Sequence, residues 1–109
     1  DLHKEYRRQR QMCIRDSETA GVFSMVLECI ESSLARAITK QIKIPTIGIG
    51  ASNNCDGQIL VFDDLIGLNQ INVRFIKKYT NIRKEIAKAV STYAREVRSK
   101  KFPLKKHSY

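Results

Sequence analysis

Apolar and polar residues follow two different periods along the chain, and these periods predict strands and helices in turn. Residues 22–27 form a nearly continuous apolar run rich in strand formers, which is typical of a strand buried on both faces. The serine pair 32–33 is placed to cap a helix. One side of that helix is apolar, because hydrophobic residues recur at every fourth position: Leu34, Ile38 and Ile42.

Two further strands and a long helix are predicted after this point. Residues 46–49 form a strand that follows Pro45, and residues 58–62 form the third strand. A long amphipathic helix comes next, or two helices broken near residues 80–81, and Pro103 ends it. Its apolar residues are spaced by three or four positions: Phe75, Tyr79, Ile82, Ile86, Val90, Tyr93 and Val97.

This order of elements predicts an α/β fold with helices packed on a parallel sheet. The connection between residues 27 and 46 is long enough for a crossover helix, so the first two strands are expected to be parallel neighbours. Three strands alone would leave both sheet edges unpaired, which complete folds avoid. We therefore interpret residues 18–109 as the last part of a larger sheet or barrel.

The first seventeen residues, DLHKEYRRQRQMCIRDS, are expected to lie outside the domain. Their few apolar residues fit neither a helical nor a strand period, which predicts a disordered leader. The stretch RQRQMCIRDS also resembles translated sequencing-adapter DNA of the kind found at the ends of unrelated reading frames. On this interpretation residues 1–17 are a non-native leader, and the native sequence begins near Glu18.

The amino-acid composition limits the classes of protein to which the chain can belong. The chain has 109 residues, of which 42% are hydrophobic and 28% charged, and this suits one globular domain. No apolar run approaches the roughly 18 residues of a membrane span, so neither a membrane protein nor a membrane partner is expected. The three cysteines form an odd set without a C-x-x-C pair, which argues against a disulfide scaffold and a four-cysteine zinc site. A cytoplasmic location, where thiols stay reduced, is therefore expected.

Positive charge is concentrated at one end of the chain. The net charge is +9, and residues 74–109 carry twelve basic against two acidic residues. This region raises one alternative to an enzyme, a module that binds nucleic acid or another anion. A second alternative is a non-catalytic interaction domain whose apolar stripe over 75–97 docks a partner helix. A solvated outer helix face is the favoured explanation of the charge, and no motif for groove or single-strand recognition is present. Barrel packing explains the apolar stripe as well as a partner helix does.

Glu28 is the leading candidate for a catalytic residue. It directly follows the first predicted strand, and the carboxyl ends of parallel strands are where such folds place their active sites. Partial desolvation there would suit a general base that works near neutral pH. A carboxylate that forms a salt bridge or caps the next helix is the alternative. Cys29 is expected to be a packed, inert thiol rather than a nucleophile, since no histidine is near it in the sequence.

The other glycine and polar residues are weaker candidates for a functional site. Gly48 and Gly50 allow close approach of either a ligand or a neighbouring part of the protein, but they do not complete a G-x-G-x-x-G fingerprint. The pair 56–57, Asp-Gly, is typical of a turn. Asp63 and Asp64 would point to opposite faces of a strand, so a helix N-cap is expected for one of them rather than a shared metal.

Four runs together resemble one enzyme family. They occur in the order and spacing found near the carboxyl end of ketopantoate hydroxymethyltransferases, also called 3-methyl-2-oxobutanoate hydroxymethyltransferases: VLECI (26–30), IPTIGIGA (44–51), CDGQILV (55–61) and DDLIGL (63–68). The later F-x-K-K-Y (75–79), YAREVRSKKFP (93–103) and the terminal His-Ser-Tyr also resemble that family. Departures occur at Glu31, where the family usually has proline, and at Ser52, where it often has glycine.

The resemblance implies a (β/α)₈ TIM barrel that assembles into a ring-like homo-oligomer, with the three strands as barrel strands six to eight. The implied reaction transfers a hydroxymethyl group from 5,10-methylenetetrahydrofolate to 3-methyl-2-oxobutanoate, giving 2-dehydropantoate for pantothenate and coenzyme A biosynthesis. It implies a magnesium ion that chelates the keto acid and acts as a Lewis acid. It also implies that the glutamate of the V-L-E-C motif, here Glu28, is the catalytic base.

The same resemblance places the metal ligands in the first half of the barrel, before Glu18, so no residue of this chain is expected to bind magnesium. A TIM barrel needs about 250 residues, more than twice the length of this chain. We therefore expect the 109-residue chain to be a fragment without measurable transferase activity of its own.

Overall fold

The structure is a computed structural model that describes residues 2–109. Its elements in chain order are α1 (Leu2–Thr19), β1 (Met25–Glu28), α2 (Ser32–Gln41), β2 (Thr46–Ile49), β3 (Gly57–Gln58), α3 (Phe62–Leu65), α4 (Ile82–Arg98) and a 3₁₀ turn (Lys105–His107). Among these described helices, none is long and apolar enough to cross a membrane.

The three strands form one parallel sheet in the order β1-β2-β3. The prediction that the first two strands are parallel neighbours is confirmed, with Met25 opposite Thr46 and Glu28 opposite Ile49. The mixture of helices with a small parallel sheet agrees with the predicted α/β class. The strands are shorter than predicted at 22–27 and 58–62, because β-ladder pairing, rather than apolar character, sets where a strand begins and ends.

Helix α2 covers one face of the sheet and forms the core with it. Leu27 of β1 is 1% exposed, whereas the preceding Val26, on the opposite face, is 55% exposed. The prediction that this strand is buried on both faces is therefore wrong for the described chain, since α2 covers only the Leu27 side. The buried apolar residues are Leu27, Leu34, Ala35, Ile38, Ile42 and Cys55.

Helix α1 occupies the segment that was predicted to be a disordered leader, so that part of the prediction is wrong. Its half-buried positions are spaced as on one helix face: Gln11, Ile14, Ser17 and Glu18. Ile14 packs against the core, and Arg15 Nη2 donates a hydrogen bond to Gln41 Oε1 at 2.9 Å. Because this contact face is mostly polar, the sequence of the helix has no apolar periodicity that would predict it. The non-native origin of residues 1–17 stays a prediction.

The chain divides into two compact units, the first running through Leu60 with Val73–Ile76 added, and the second formed by Val61–Asn72 and Lys77–Tyr109. In the second unit Asn81 caps α4, its Oδ1 accepting from the Lys84 backbone N–H at 3.2 Å. The predicted long helix does not extend over residues 75–80, which are not helical. For the same reason, two helices broken near residues 80–81 do not form. Only the part after the predicted break becomes a long helix.

Helix α4 ends earlier than the predicted stop at Pro103. Its last helical residue is Arg98, and Lys100 adopts a left-handed φ of 57°. The Lys101 N–H donates to the Glu96 carbonyl at 2.8 Å and the Lys100 N–H to the Val97 carbonyl at 3.1 Å. These two bonds form a Schellman motif, which satisfies the last carbonyls of the helix.

A polar network centred on the buried Thr46 ties β2 to its neighbours, and its loss is expected to destabilise the chain. Thr46 is fully buried, and its hydroxyl lies 2.9 Å from Thr39 Oγ1 and 3.3 Å from both Asp56 Oδ2 and the Asp56 backbone N. Thr46→Val keeps the shape but removes the hydroxyl that bonds Thr39 and Asp56 and leaves the Asp56 backbone N–H without this acceptor, so we expect a loss of about 1–3 kcal/mol in the free energy of unfolding. Urea unfolding of the 109-residue chain measures it.

The matched control is Thr19→Val. Thr19 lies on the exposed surface of α1, and its hydroxyl bonds only the Arg15 carbonyl of the same helix. This change is expected to shift the unfolding free energy by less than about 0.5 kcal/mol. Equal urea midpoints for the two variants would contradict a stabilising role for the network around Thr46.

Candidate active site

The carboxyl ends of β1 and β2 lie side by side and carry the leading candidate residue. Glu28 is the last residue of β1 and pairs in register with Ile49, the last residue of β2. The Cys29 N–H extends this pairing by donating to the Ile49 carbonyl at 2.9 Å. Because side chains alternate along a strand, Glu28 projects from the face opposite Leu27, away from α2.

The Glu28 carboxylate is open to solvent. The expected partial desolvation is therefore wrong for this chain, because α2 and the core lie on the other face of the sheet. Within residues 2–109 the carboxylate makes neither a salt bridge nor a side-chain hydrogen bond, and the N-cap of α2 is Glu31 rather than Glu28. The alternative role as a salt-bridged or capping group is not what the described structure shows. Glu28 also lines a cavity of about 510 Å³ with residues of α1.

Cys29 is not the packed thiol that was predicted. Its side chain is exposed, and its backbone has a φ of 52°, in the left-handed region that non-glycine residues rarely adopt. The chain turns sharply here, between the end of β1 and the start of α2, and this turn directs the thiol outward. Cys13 is also an exposed free thiol, and Cys55 is a buried one.

Neighbouring side chains pack closely on the two glycines of the β2 segment. A Cβ at Gly48 would lie 3.0 Å from Gln58 Nε2 and 3.1 Å from Cys55 Sγ. A Cβ at Gly50, where φ is 65°, would lie 2.8 Å from Cγ of Phe75. Of the two alternatives for these glycines, the described structure therefore shows close packing by the protein itself.

The aspartates have structural partners. Asp56 does more than form a turn, since its Oδ2 accepts from the Thr46 backbone N–H at 2.8 Å and fixes the start of β2. The N-cap predicted for Asp63 or Asp64 is wrong, because α3 begins at Phe62 and its N-cap is Val61. Asp64 is buried and accepts a hydrogen bond from Asn69 Nδ2 at 2.9 Å.

The serine cap predicted for α2 is also not formed. Both serines lie inside the first turn, and Glu31 occupies the N-cap without a side-chain bond to the backbone. Instead the Ser33 hydroxyl donates to Glu31 Oε1, and Arg7 Nη1 lies 4.0 Å from Glu31 Oε2. The carboxylate of Glu31 is thereby occupied by groups on either side of it.

A larger cleft of about 830 Å³ opens beside these strand ends, entirely within the first compact unit. It is lined by the turn after β1, by the loop after β2 and by the returning segment at 74–75: Cys29, Ile30, Glu31, Ser32, Gly50, Ala51, Ser52, Asn53, Gln58, Arg74 and Phe75. Arg74 and Phe75 were not singled out from the sequence as site residues. Phe75 fits the apolar stripe of the predicted helix, and no local pattern shows that it leaves that helix to pack on Gly50.

The residues present do not form a magnesium site. Among residues 2–109, no three histidine, cysteine, aspartate or glutamate side chains come together in a way that could hold a metal ion. Hard divalent cations need several oxygen ligands at once, and Glu28 alone does not supply them.

Comparison with known proteins shows that the chain is similar to one enzyme family. The family model for ketopantoate hydroxymethyltransferase matches residues 4–105. A 3-methyl-2-oxobutanoate hydroxymethyltransferase of Pelagibacter ubique is 61% identical over 104 residues, covering 93% of this chain and 40% of that protein. A second, from Zymomonas mobilis, is 51% identical over 94 residues, covering 86% of this chain and 34% of its own length.

The chain thus spans 40% of the Pelagibacter protein and 34% of the Zymomonas protein. The family match runs across most of the segment 1–17 as well as the motifs that carry the resemblance. A match over nearly the whole chain, with more than half of the aligned residues identical to each of these two relatives, shows that this chain belongs to the ketopantoate hydroxymethyltransferase family.

Proposed function

We propose that this chain is the carboxyl-terminal part of a (β/α)₈ barrel that transfers a hydroxymethyl group from 5,10-methylenetetrahydrofolate to 3-methyl-2-oxobutanoate, giving 2-dehydropantoate. Glu28 acts as the general base. The observation that carries the proposal is the family match over residues 4–105, which includes a glutamate at the carboxyl end of a parallel strand.

The barrel assignment is supported by the arrangement of the first unit. β1, α2 and β2 form a strand–helix–strand unit with parallel neighbouring strands, and α2 covers one face of the sheet. The other face, with Val26 and Glu28, is exposed. In a closed barrel that face would be the interior, and its carboxyl-terminal rim is where such enzymes hold their active sites. Assembly of the whole protein into a ring-like homo-oligomer is part of the proposal.

The chemistry requires a base at this place. The C3 hydrogen of 3-methyl-2-oxobutanoate is adjacent to a ketone and is therefore acidic enough for a positioned carboxylate to remove. The Glu28 carboxylate takes that proton, and the electron pair left at C3 forms the new carbon–carbon bond with the one-carbon unit. Water releases that unit from the folate as formaldehyde, so both carbon–nitrogen bonds break and tetrahydrofolate leaves. The formaldehyde oxygen then takes up a proton and becomes the hydroxyl of 2-dehydropantoate. An exposed carboxylate free of protein partners can accept this proton once substrate has covered it. The proposal assigns the Mg²⁺ ligands to residues outside this chain.

The test is a chimera in which residues 18–109 replace the matching carboxyl-terminal segment of the Pelagibacter ubique relative. We expect the chimera to form 2-dehydropantoate from both substrates at a rate within about tenfold of the unaltered relative, because sequences this similar keep the same packed core. The 109-residue chain alone is expected to give no turnover above the uncatalysed rate. Product formation is followed by chromatography of the reaction mixture.

The unaltered relative is the control for expression and assembly. A chimera with the same oligomeric mass and helical content as that relative, but without turnover, would contradict the proposal. Turnover by the purified 109-residue chain would contradict the assignment of the metal site to residues outside it.

A further inference from the structure

We propose that the 830 Å³ cleft binds a flat heteroaromatic ligand that carries a carboxylate, with Arg74 pairing to the carboxylate and Phe75 forming the wall against the ring. This inference rests on the proposed function and assigns the cleft to the folate co-substrate. Arg74 and Phe75 thereby become binding residues. Glu28 does not line this cleft, so the two roles belong to separate residues.

The position and size of the cleft suit a ligand. Its walls are the turn that follows β1 and the loop that follows β2, so it opens at the carboxyl-terminal edge of the sheet. Parallel α/β folds bind ligands at this edge. Its volume of about 830 Å³ lies within the range of about 300–1,000 Å³ that is usual for small-molecule sites.

The charges of the cleft favour an anionic group. Arg74 and Glu31 are the ionised side chains of its lining. Glu31 is engaged by Arg7 and by the Ser33 hydroxyl. Arg74 is exposed, and within residues 2–109 its guanidinium forms neither a salt bridge nor a hydrogen bond. An unpaired guanidinium presents two parallel N–H donors that match the geometry of a carboxylate.

The ring of Phe75 is held in place for stacking. It lies against Gly50, where even a single added carbon would approach Cγ to 2.8 Å, so the ring has a fixed support on that side. Ile30 and Ala51 add apolar surface to the same cleft. Such a wall suits the face of a flat ring, because aromatic rings prefer offset stacking on one another.

A fixed acceptor completes the site. Gln58 Nε2 donates to the Ser52 carbonyl at 2.6 Å, and this bond orients the side-chain amide. Within the described residues Gln58 Oε1 accepts no hydrogen bond, so it can accept one from a ring N–H of the ligand. Carboxylate, flat ring and ring N–H donors are combined in a reduced folate, whereas 3-methyl-2-oxobutanoate offers the carboxylate alone.

The test is a calorimetric titration of the purified 109-residue chain with 5-formyltetrahydrofolate, a stable reduced folate, and separately with 3-methyl-2-oxobutanoate. We expect the folate to bind and Arg74→Gln to weaken it by about tenfold, which corresponds to one charge-assisted interaction at an exposed site. Arg74→Lys is expected to recover part of the loss. The matched control Arg36→Gln removes an exposed arginine from α2, outside the cleft, and should change the affinity less than twofold.

Two outcomes of the titration would overturn the inference: equal folate affinity in Arg74→Gln and the unaltered chain, or an effect of Arg74→Gln on keto-acid binding alone. The same variants in the chimera give a second measurement that does not depend on the isolated chain. There Arg74→Gln should raise the KM for methylenetetrahydrofolate and leave the KM for the keto acid unchanged. An unaltered KM for the folate would overturn the inference while the proposed function stands, and an inactive parent chimera would overturn the proposed function itself.

Discussion

Replacing Glu28 by glutamine is expected to lower the turnover of the chimera by about 10²–10⁴-fold, the usual contribution of a positioned general base. Glutamine keeps the size of the side chain and its capacity for hydrogen bonds, but it cannot take up the C3 proton. In the described chain the Glu28 carboxylate has no protein partner, so the substitution breaks no salt bridge or side-chain hydrogen bond of the fold. The loss is therefore expected in kcat and not in stability.

Exchange of the C3 proton with solvent measures this step alone. With 3-methyl-2-oxobutanoate in D₂O and no folate present, proton NMR follows the disappearance of the C3 signal. We expect the chimera to catalyse the exchange and Glu28→Gln to lose it. The control is Glu31→Gln, which removes a neighbouring carboxylate that already accepts from the Ser33 hydroxyl and should leave the exchange rate within about threefold. Equal exchange rates in Glu28→Gln and the parent chimera would rule out Glu28 as the base.

The elements of the sheet were predictable because their signals are local. The apolar run that contains β1 and the short segment of β2 are visible in the sequence, and the length of chain between them permits one crossover helix. The strand limits were not predictable in the same way. Val22 and Phe23 have strand-forming side chains, yet they lie outside β1, because no partner strand in the described chain extends that far.

Two features depend on contacts between distant parts of the chain, and local patterns did not show them. Helix α1 presents a polar face with Gln11 and Glu18, so its sequence lacks the apolar periodicity that predicts a helix. Phe75 fits the stripe of the long helix by spacing, but it leaves that helix and packs on Gly50. Only the close approach to a glycine twenty-five positions earlier places Phe75 in the cleft.

The candidate site was predictable in position and not in environment. Glu28 lies at the end of a parallel strand, as its place after an apolar run predicts. Its exposure follows from which elements cover the sheet, and that depends on residues far from it in sequence. The left-handed turn at Cys29 is a further case, because the side chain of a cysteine gives no signal for a positive φ.

Truncating Leu34 to alanine is expected to remove most of the stability of the 109-residue chain. Leu34 is 1% exposed and lies in a core of six buried apolar residues between α2 and the sheet. Leucine-to-alanine changes in such cores cost about 2–5 kcal/mol, because the cavity closes only in part. That is a large share of the roughly 5–15 kcal/mol that stabilises an ordinary domain, and a core this small has little in reserve.

Circular dichroism during urea unfolding measures the effect, and the control is Ile86→Ala in α4. Ile86 is already 49% exposed, so we expect the control to cost less than about 1 kcal/mol in this chain. The difference between the two losses in unfolding free energy is the informative quantity, because both substitutions shorten an aliphatic side chain on a helix. Equal losses for the two variants would show that the core between α2 and the sheet does not hold the chain together.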